Sequence, residues 1–578
     1  MAKVNVITTK IAGIKAIKRI KVGEGKVASS IFLALFVPVL LASCSDKSLV
    51  AGIEPVLPER PNILWLVAED LSPIIPPFGD YTVETPNLSR LAAEGVRYSR
   101  VFSTSGVCAP SRATIATGLY QNRIGAHHMR TTSVVDEGPA GLMPYEAVPP
   151  AQVKMHSQYF REIGYFTSNN AKEDYQFRKP LTAWDESNSD AHWRNRAPGQ
   201  PFFSIFNFGI THESQVWAQQ ENPLLVSENL DVPVPPYLPS TDIALRDIRQ
   251  VYSNIVAMDQ QIGNVLDQLE EDNLLDSTII FFYSDHGGPL PRQKRLLYDS
   301  GTHLPMIIRY PDGWRSGEVD DQLISFVDFK STALSLAGIR PPNYVDGRAF
   351  IGKFSNTPKR RYVHSAADRF DNQYDTIRAV RDSRFKYLRN YNLDKPYYLP
   401  LPYREQMAIM QELLRLEESG SLNEIQAQWF RSQKSPEELF DVDNDPYELR
   451  NLADDPHYAD KLVELRTEMD LWLGQINDLG FMPELELIEK LWAGGNQPKT
   501  KSPSISEQNG MVRLSSETVG ANIAYQITSV EEDLPAEKFS NPWQVYTRPI
   551  LLAADEQLFV LAHRIGFAPS EQVIYRRN

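Results

Sequence analysis

The sequence predicts an α/β fold: a central sheet with helices on both faces, followed by a smaller α+β subdomain and a small β module. Three observations carry that prediction. Two continuous apolar runs, Asn-Ile-Leu-Trp-Leu-Val-Ala at 62–68 and Thr-Ile-Ile-Phe-Phe-Tyr at 278–283, lack the alternation of a strand with one wet face. They read as central strands buried on both sides. A long amphipathic segment, residues 243–271, precedes the second run, so helix and strand alternate. The composition agrees, since 42% hydrophobic and 23% charged residues in a chain of 578 exclude disorder, collagen and coiled coil as the main architecture. Two cysteines exclude a disulfide scaffold and any multi-cysteine metal site.

The elements follow in chain order. Residues 1–43 hold seven Lys/Arg and one acid, then an apolar run at 31–41 too short to span a bilayer, which together read as a signal peptide. Leu41-Ala42-Ser43-Cys44 resembles a bacterial lipobox, which implies cleavage before Cys44 and a lipid on it. Ser45, in place of an aspartate, favours onward transport to the outer membrane. The expected location is therefore that of an exported bacterial lipoprotein, in the periplasm, outer membrane or cell surface, held to the membrane only by its lipid. Without residues 1–43 the net charge falls from −14 to −20, which argues against nucleic-acid binding. Residues 44–60 read as a tether. The α/β domain, 61–355, opens on the strand at 62–68, then a helix at 87–94 stopped by Gly95. The helix at 243–271 and strands at 278–283 and 306–309 complete its recognisable parts. The subdomain, 356–493, offers short strands at 361–364, 376–380 and 384–387, and helices at 406–418, 421–429 and 460–476. Residues 494–507 are polar and read as a linker. Residues 508–578 carry strands at 511–514, 522–527, 549–552 and 557–563, the pattern of a small β-sandwich-like module.

Chemistry gathers at strand ends. The first apolar strand runs into Glu69-Asp70 and the second into Asp285-His286-Gly287-Gly288. Ligands of open α/β sheets bind outside the carboxyl ends of the strands, so two acidic clusters there can converge on one hard cation. Oxygen-rich ligation favours Ca²⁺ or Mg²⁺ over zinc. Cys108-Ala-Pro110-Ser-Arg112 then Ala-Thr-Ile-Ala-Thr-Gly118 reads as a helix with Pro in its first turn and Gly at its end. Cys108 at the N-terminus meets backbone N–H groups and the positive end of the dipole, and Arg112 adds a fixed charge. A nucleophile in that cradle is arranged to attack an anionic tetrahedral group.

The stretch Cys108-Ala-Pro-Ser-Arg112-Ala-Thr-Ile-Ala-Thr-Gly118 resembles the signature of type I, formylglycine-dependent sulfatases of the alkaline phosphatase-like superfamily. Leu66-Val-Ala-Glu69-Asp70, Ser284-Asp285-His286-Gly287 and Glu438-Leu-Phe-Asp-Val-Asp-Asn-Asp-Pro446 agree in order and spacing. The resemblance spans about residues 60–490. Asn169-Asn-Ala-Lys172-Glu-Asp174-Tyr and Pro289-Leu-Pro-Arg-Gln-Lys294 are most similar to the heparan N-sulfatase (sulfamidase)-like branch, which includes bacterial sulfatases of algal polysaccharides.

That resemblance implies an alkaline phosphatase-like mixed sheet and a sulfate-ester hydrolase acting on a sulfated oligo- or polysaccharide such as ulvan, carrageenan or a glycosaminoglycan. It implies that a formylglycine-generating maturation enzyme oxidises Cys108 to Cα-formylglycine (3-oxoalanine), whose hydrate is the nucleophile. Ca²⁺, ahead of Mg²⁺, would be held by Glu69, Asp70, Asp285, His286 and the modified Cys108. Arg112 would orient the formylglycine, Lys172 and Lys294 would bind sulfate oxygens, and His212 would protonate the leaving group. Two departures stand out. Glu69 replaces the family's usual aspartate. Lys172-Glu173-Asp174 replaces a common Lys-x-His, whose histidine helps to expel sulfate. His128, near Arg130, is the expected replacement base, with His127 and Asp174 contacting substrate. Three other readings share these residues: a sulfamidase cleaving N–S bonds, a phosphatase-like hydrolase, for which Ser or Thr would be the usual nucleophile, and a non-catalytic glycan-binding lipoprotein. The last module resembles chitobiase-type C-terminal β-sandwiches, with packing its expected role.

Overall fold

The computed structural model describes residues 55–132, 139, 141–355, 358–530 and 543–577. The expected signal peptide, the start of the tether and Cys44 lie outside them. Among the described residues no helix is long and apolar enough to cross a membrane.

The apolar run Asn62–Ala68 is strand β1, and all seven of its residues are buried. Its side chains alternate between two cores. Ile63, Trp65 and Val67 pack on one face, and Leu64, Leu66 and Ala68 on the other. At ~1.5–3 kcal/mol for each large apolar side chain removed from water, this strand is a main anchor of the fold. Eight further strands complete the sheet: β2 (Val96–Phe102), β3 (Phe166–Asn170), β4 (Glu186–Ser187), β5 (Phe202–Phe208), β6 (Thr278–Ser284), β7 (His303–Arg309), β8 (Val319–Asp320) and β9 (Ile324–Ser325). Their order is β4-β3-β5-β1-β6-β7-β2-β8, with β9 on β2. β3, β5, β1 and β6 are mutually parallel, whereas β7 runs antiparallel to both β6 and β2. The mixed sheet is thus the one expected.

Helix α1 (Pro86–Glu94) and the 30-residue helix Asp242–Glu271 cover one face. Thr85 gives α1 no side-chain cap. The cap comes from the long helix, where the Asp259 carboxylate accepts from the backbone N–H of Leu88 at 2.9 Å and of Asn87 at 3.2 Å. Helix α2 (Cys108–Thr117) lies on the other face, beside Val327–Leu336, and every one of its residues is buried. The third core of the domain pair is the subdomain, where β10 (Val363–Ala367), β11 (Ile377–Arg381), β12 (Phe385–Asn390) and β13 (Glu437–Asp441) form an antiparallel sheet. The helix Ala459–Ile476 packs on it. Of the helix expected at 421–429, only a short 3₁₀ segment, Gln426–Phe430, forms.

The C-terminal module has two antiparallel sheets, β14 (Ser504–Gln508), β15 (Met511–Ser515) and β18 (Ile550–Leu551), and β17 (Gln544–Val545), β16 (Asn522–Ser529), β19 (Glu556–His563) and β20 (Val573–Arg576). Val512, Leu514 and Ile550 of the first meet Ile523, Leu558 and Val560 of the second in one core. The expected linker is corrected here. Its last residues are β14, joined to β15 by a two-residue turn in which Asn509 (φ 53°) and Gly510 (φ 74°) are both left-handed. Asn-Gly is the signature of such a hairpin, and it outweighs the polar composition. The module is also docked, not tethered. A Cβ on Gly520 would lie 1.9 Å from the carbonyl oxygen of Ala151, and the Trp492 indole donates to the carbonyl of Gly566 at 3.2 Å.

A buried ionic cluster of the subdomain meets the α/β domain through an amide. Arg378, fully buried, donates to Asp368 at 3.0 Å and to Asp478 at 2.6 Å, while Asn122 of the first domain donates to both acids. Burial, with Asp478 close by, pushes Asp368 up to about 7 against the pull of Arg378. A carboxyl whose folded pKa is raised favours folding fully below about pH 4 and loses that advantage as pH climbs to about 7. In urea unfolding, the Asp368 contribution, read as the difference between wild type and the Asp368→Asn variant, is therefore expected to fall across that window by up to about 4 kcal/mol. Asp368→Asn should flatten this segment of the profile. An unchanged slope in the variant would assign the dependence to another group.

Candidate active site

Register brings the site together. Ala68 of β1 pairs with Phe208 of β5 and with Ser284 of β6, so the three strands end level. β3 ends beside them, with Asn170 opposite Phe206. Glu69-Asp70, His212-Glu213, Asp285-His286 and Lys172 therefore leave the sheet from one edge. β2 ends on the same side, and residues 103–107 lead from it into α2, whose first residue is Cys108.

Asp70, Asp285 and His286 are wholly buried and Glu69 nearly so. One ligand atom from each of Asp70, Cys108, Asp285 and His286 lies within 4.8 Å of the others, and Glu69, Asp70, Cys108 and His212 satisfy the same limit. Asp70 adopts a left-handed backbone (φ 50°), which an aspartate tolerates better than most residues. That turn is held by the Asp70 N–H donating to Asp285 Oδ1 at 3.1 Å and the Leu71 N–H donating to Ser284 Oγ at 2.9 Å. After His286, Gly287 permits the chain to lie against residues 300–301, since a Cβ there would stand 2.3 Å from the Ser300 carbonyl oxygen.

Cations answer these acids. Arg112 Nε bonds Asp285 Oδ2 at 3.0 Å and its Nη1 bonds Asn207 Oδ1 at 2.7 Å. Lys294 Nζ lies 2.7 Å from Asp70, 3.0 Å from Glu213 and 3.1 Å from His212 Nε2. Lys172 Nζ lies 2.7 Å from Glu69 and 3.3 Å from Asp174. Burial alone would push the Cys108 thiol up, but Lys294, His286 and Lys172 outweigh it and its pKa falls below the ordinary thiol value. Burial would likewise raise Asp70, yet Lys294, His212 and His286 hold it well below the carboxylate range. His286 is lifted to about 10: burial lowers it, but Asp285 and Asp70 pull harder. The carboxylates, imidazole and Cys108 thus concentrate a demand for positive charge at one buried point. That donor set, oxygen-rich with one imidazole, fits a hard divalent cation.

The expected residues Glu69, Asp70, Cys108, Arg112, Lys172, Asp174, His212, Asp285, His286 and Lys294 all fall in this one cluster. His127 and His128 do not, which corrects the expectation of a base there. His128 Nδ1 accepts from the Arg369 backbone N–H at 3.2 Å, and its Nε2 faces Glu484 at 3.9 Å. Both rings are buried against each other, with centroids 4.2 Å apart. Burial, reinforced for His128 by Arg369 and Arg378, and for His127 by its neighbouring ring, holds them well below the usual histidine value. They pack the seam with the subdomain. Three site residues escaped the sequence reading. Asn207 couples Arg112 to Asn169 through a 3.1 Å bond. Glu213 takes Lys294 and a bidentate Arg295, both bonds 2.8 Å, and Arg295 and Lys294 bring it down to about 2 against burial. Glu213 and Arg295 each follow a residue already singled out, but adjacency carries no information about pairing across 82 residues.

Comparison with known proteins agrees with this geometry. A family model described as sulfatase matches residues 61–339, and one described as the C-terminal part of N-sulphoglucosamine sulphohydrolase matches residues 292–406. A Formosa agariphila protein named an ulvan-active sulfatase is 50% identical over 584 aligned positions, covering 94% of this chain and 97% of its own. The chain belongs to the sulfatase family. Human N-sulphoglucosamine sulphohydrolase is 26% identical over 481 positions, covering 75% of this chain and 94% of its own. Among solved structures, one described in complex with its substrate D-glucosamine-2-N,6-O-disulfate superposes with a TM-score of 0.52 at 18% identity, over 73% of this chain and all of that one. A 2-O glycosaminoglycan sulfatase does so with 0.52 at 19% identity, over 72% and 93%. The fold is that of the alkaline phosphatase-like sulfatases, and the chain is a sulfatase by family. The sulfatase family implies a metal ion, and this cluster offers donors that could hold one.

Two variants test the cluster. Asp285→Ala removes a candidate metal ligand and takes from the buried Arg112 its carboxylate partner. It is expected to lose bound divalent metal by elemental analysis and to destabilise the protein by about 3–5 kcal/mol. Cys108→Ala deletes the candidate nucleophile and no ion pair, so it should retain near-wild-type melting while losing activity by at least about 10³-fold.

Proposed function

We propose that this protein hydrolyses sulfate esters of a sulfated polysaccharide of the ulvan type, outside the cytoplasm. The observation that carries the reading is Cys108 at the buried N-terminus of α2, among metal-competent Glu69, Asp70, Asp285 and His286 and the Arg112, Lys172 and Lys294 cations paired with those acids, with His212 beside them. The 50% identical relative, named ulvan-active, supports the polymer class. It also favours O–S over N–S cleavage, since the sulphohydrolase of N-sulphoglucosamine is only 26% identical.

In this reading Cys108 is oxidised to Cα-formylglycine by a maturation enzyme. That group would supply the hydrate nucleophile, and a Ca²⁺ ion held by the acids would supply Lewis-acid polarisation. The rest belongs to the chain's own side chains. Glu69, Asp70, Asp285 and His286 hold the cation. Arg112, fixed by Asp285 and Asn207, keeps a positive charge beside residue 108. Lys172 and Lys294 exchange their contacts with Glu69 and Asp70 for sulfate oxygens, so charge developing on sulfate is met by donors already in place. His212, 3.1 Å from Lys294, donates the proton to the departing sugar oxygen. Asp174, partly exposed beside Lys172, accepts from a sugar hydroxyl. The basic leader, apolar run and Cys44 support export as a lipoprotein anchored in the outer membrane.

Release of inorganic sulfate from ulvan oligosaccharides tests the function, with N-sulfated glucosamine as the competing substrate. Sulfate release from O-sulfated units is expected, with chelation abolishing it and Ca²⁺ restoring it. Mass spectrometry of the peptide containing residue 108 should show the thiol replaced by an aldehyde in active protein. Full activity with an unmodified thiol, or exclusive N–S cleavage, would refute the proposal.

A further inference from the structure

Beside the cluster lies a group of side chains that the chemistry above does not use. The Tyr403 ring centroid is 6.4 Å from that of His212 and 5.2 Å from that of Trp217, edge to face with both. All three rings are half-buried, so each keeps an edge or face at the surface. The Arg130 guanidinium stands 4.9 Å from the centre of the Tyr403 ring. A second route also ties Arg130 to the site. Its Nε contacts Asp371 at 2.9 Å, Asp371 lies 3.9 Å from Arg295, and Arg295 bonds Glu213, the partner of Lys294.

Behind Tyr403, Arg404 is buried and donates to the Leu399 carbonyl at 2.6 Å. Its guanidinium lies over Trp429 and Tyr398, at 4.8 and 5.2 Å, and its Nε has no hydrogen-bond partner. Burial, helped by Arg295, brings Arg404 down to about 10. A buried cation held by rings and a carbonyl is costly. Half-buried aromatic faces suit the C–H face of a pyranose, because they combine a large rigid contact with polar edges.

Given the sulfatase activity proposed above, we infer that Trp217, Tyr403 and Arg130 form a subsite for the sugar unit adjoining the one that carries the scissile sulfate, and that this neighbouring unit is anionic. The rings stack against the neighbouring pyranose, and Arg130, with Arg404 behind, meets its negative group. That group is a uronate carboxylate or a second sulfate ester, the two chemistries that a guanidinium reads in the same way.

The test compares kcat/KM for a monosaccharide sulfate and for three disaccharides bearing the same scissile sulfate. Their neighbouring units are a uronate, its carboxyl-reduced form, and a neutral sugar with its own sulfate. The wild type should favour a charged neighbour over the carboxyl-reduced one by about tenfold or more, and the better of the two charged units names the source. Arg130→Gln should erase that preference. Tyr403→Ala should lower the ratio of disaccharide to monosaccharide kcat/KM by about tenfold, chiefly through KM. Should Tyr403→Ala not fold, Trp217→Ala is read by the same ratio. Equal turnover of all three disaccharides by the wild type, or ratios unmoved in the variants, would overturn the subsite alone. Absence of sulfate release from every substrate would overturn the sulfatase reading on which it rests.

Discussion

Buried negative charge is the constraint that organises this protein. Asp70, Asp285 and Glu69 meet at one point shielded from water, where isolated carboxylates are unstable by several kcal/mol each. They persist because Lys294, Arg112, Lys172 and His286 stand within ion-pair distance. Those cations are themselves buried or nearly so, and Lys294 is tied back to Glu213, which is tied to Arg295. The network therefore alternates in sign outward from the metal-competent groups. Each member is fixed by its neighbours before any substrate arrives, which is the preorganisation that sulfate transfer exploits.

The sheet exists in this form to deliver that alternation. Parallel pairing of β3, β5, β1 and β6 puts four carboxyl ends on one edge, and the level register of Ala68, Phe208 and Ser284 keeps them in reach of one another. A strand buried on both faces cannot slip by one residue without exchanging its two cores, so the register is held by the apolar alternation of β1. Helix α2, buried along its whole length, is clamped by Val327–Leu336, and Lys330 from that helix donates to the carbonyl of Thr117 at its C-terminus. The position of Cys108 thus depends on packing far from the chemistry.

The subdomain and the last module extend this rigidity. The Arg378 seam, the buried histidine pair and the glycine contacts at Gly520 and Gly566 leave the C-terminal parts continuous with the catalytic body. The subdomain also supplies Asp371 and Tyr403, which reach the site through Arg295 and His212.

Much of this was legible in the sequence because it is local. Apolar continuity at 62–68 and 278–283 specifies strands buried on both faces, and Cys108 to Gly118 specifies a helix with a reactive N-terminus in a spacing too particular to be chance. The acids at the two strand ends needed only the general rule that ligands bind there. What the sequence could not hold was pairing between distant side chains. His127 and His128 follow the signature closely, yet the backbone turns them away into the seam, where the two rings pack on each other and His128 meets Arg369 and Glu484. Glu213, Arg295 and Asn207 acquire their roles only when segments 38 to 95 residues apart in the chain are brought together. Residues 504–507 look like linker by composition, but Asn509-Gly510 folds them back as a strand. Local chemistry is written in residue type and spacing. The assignment of each charge to its partner is decided by the register of the sheet and the docking of the subdomain, since only there do charges come close enough for their interaction to exceed the cost of burying them.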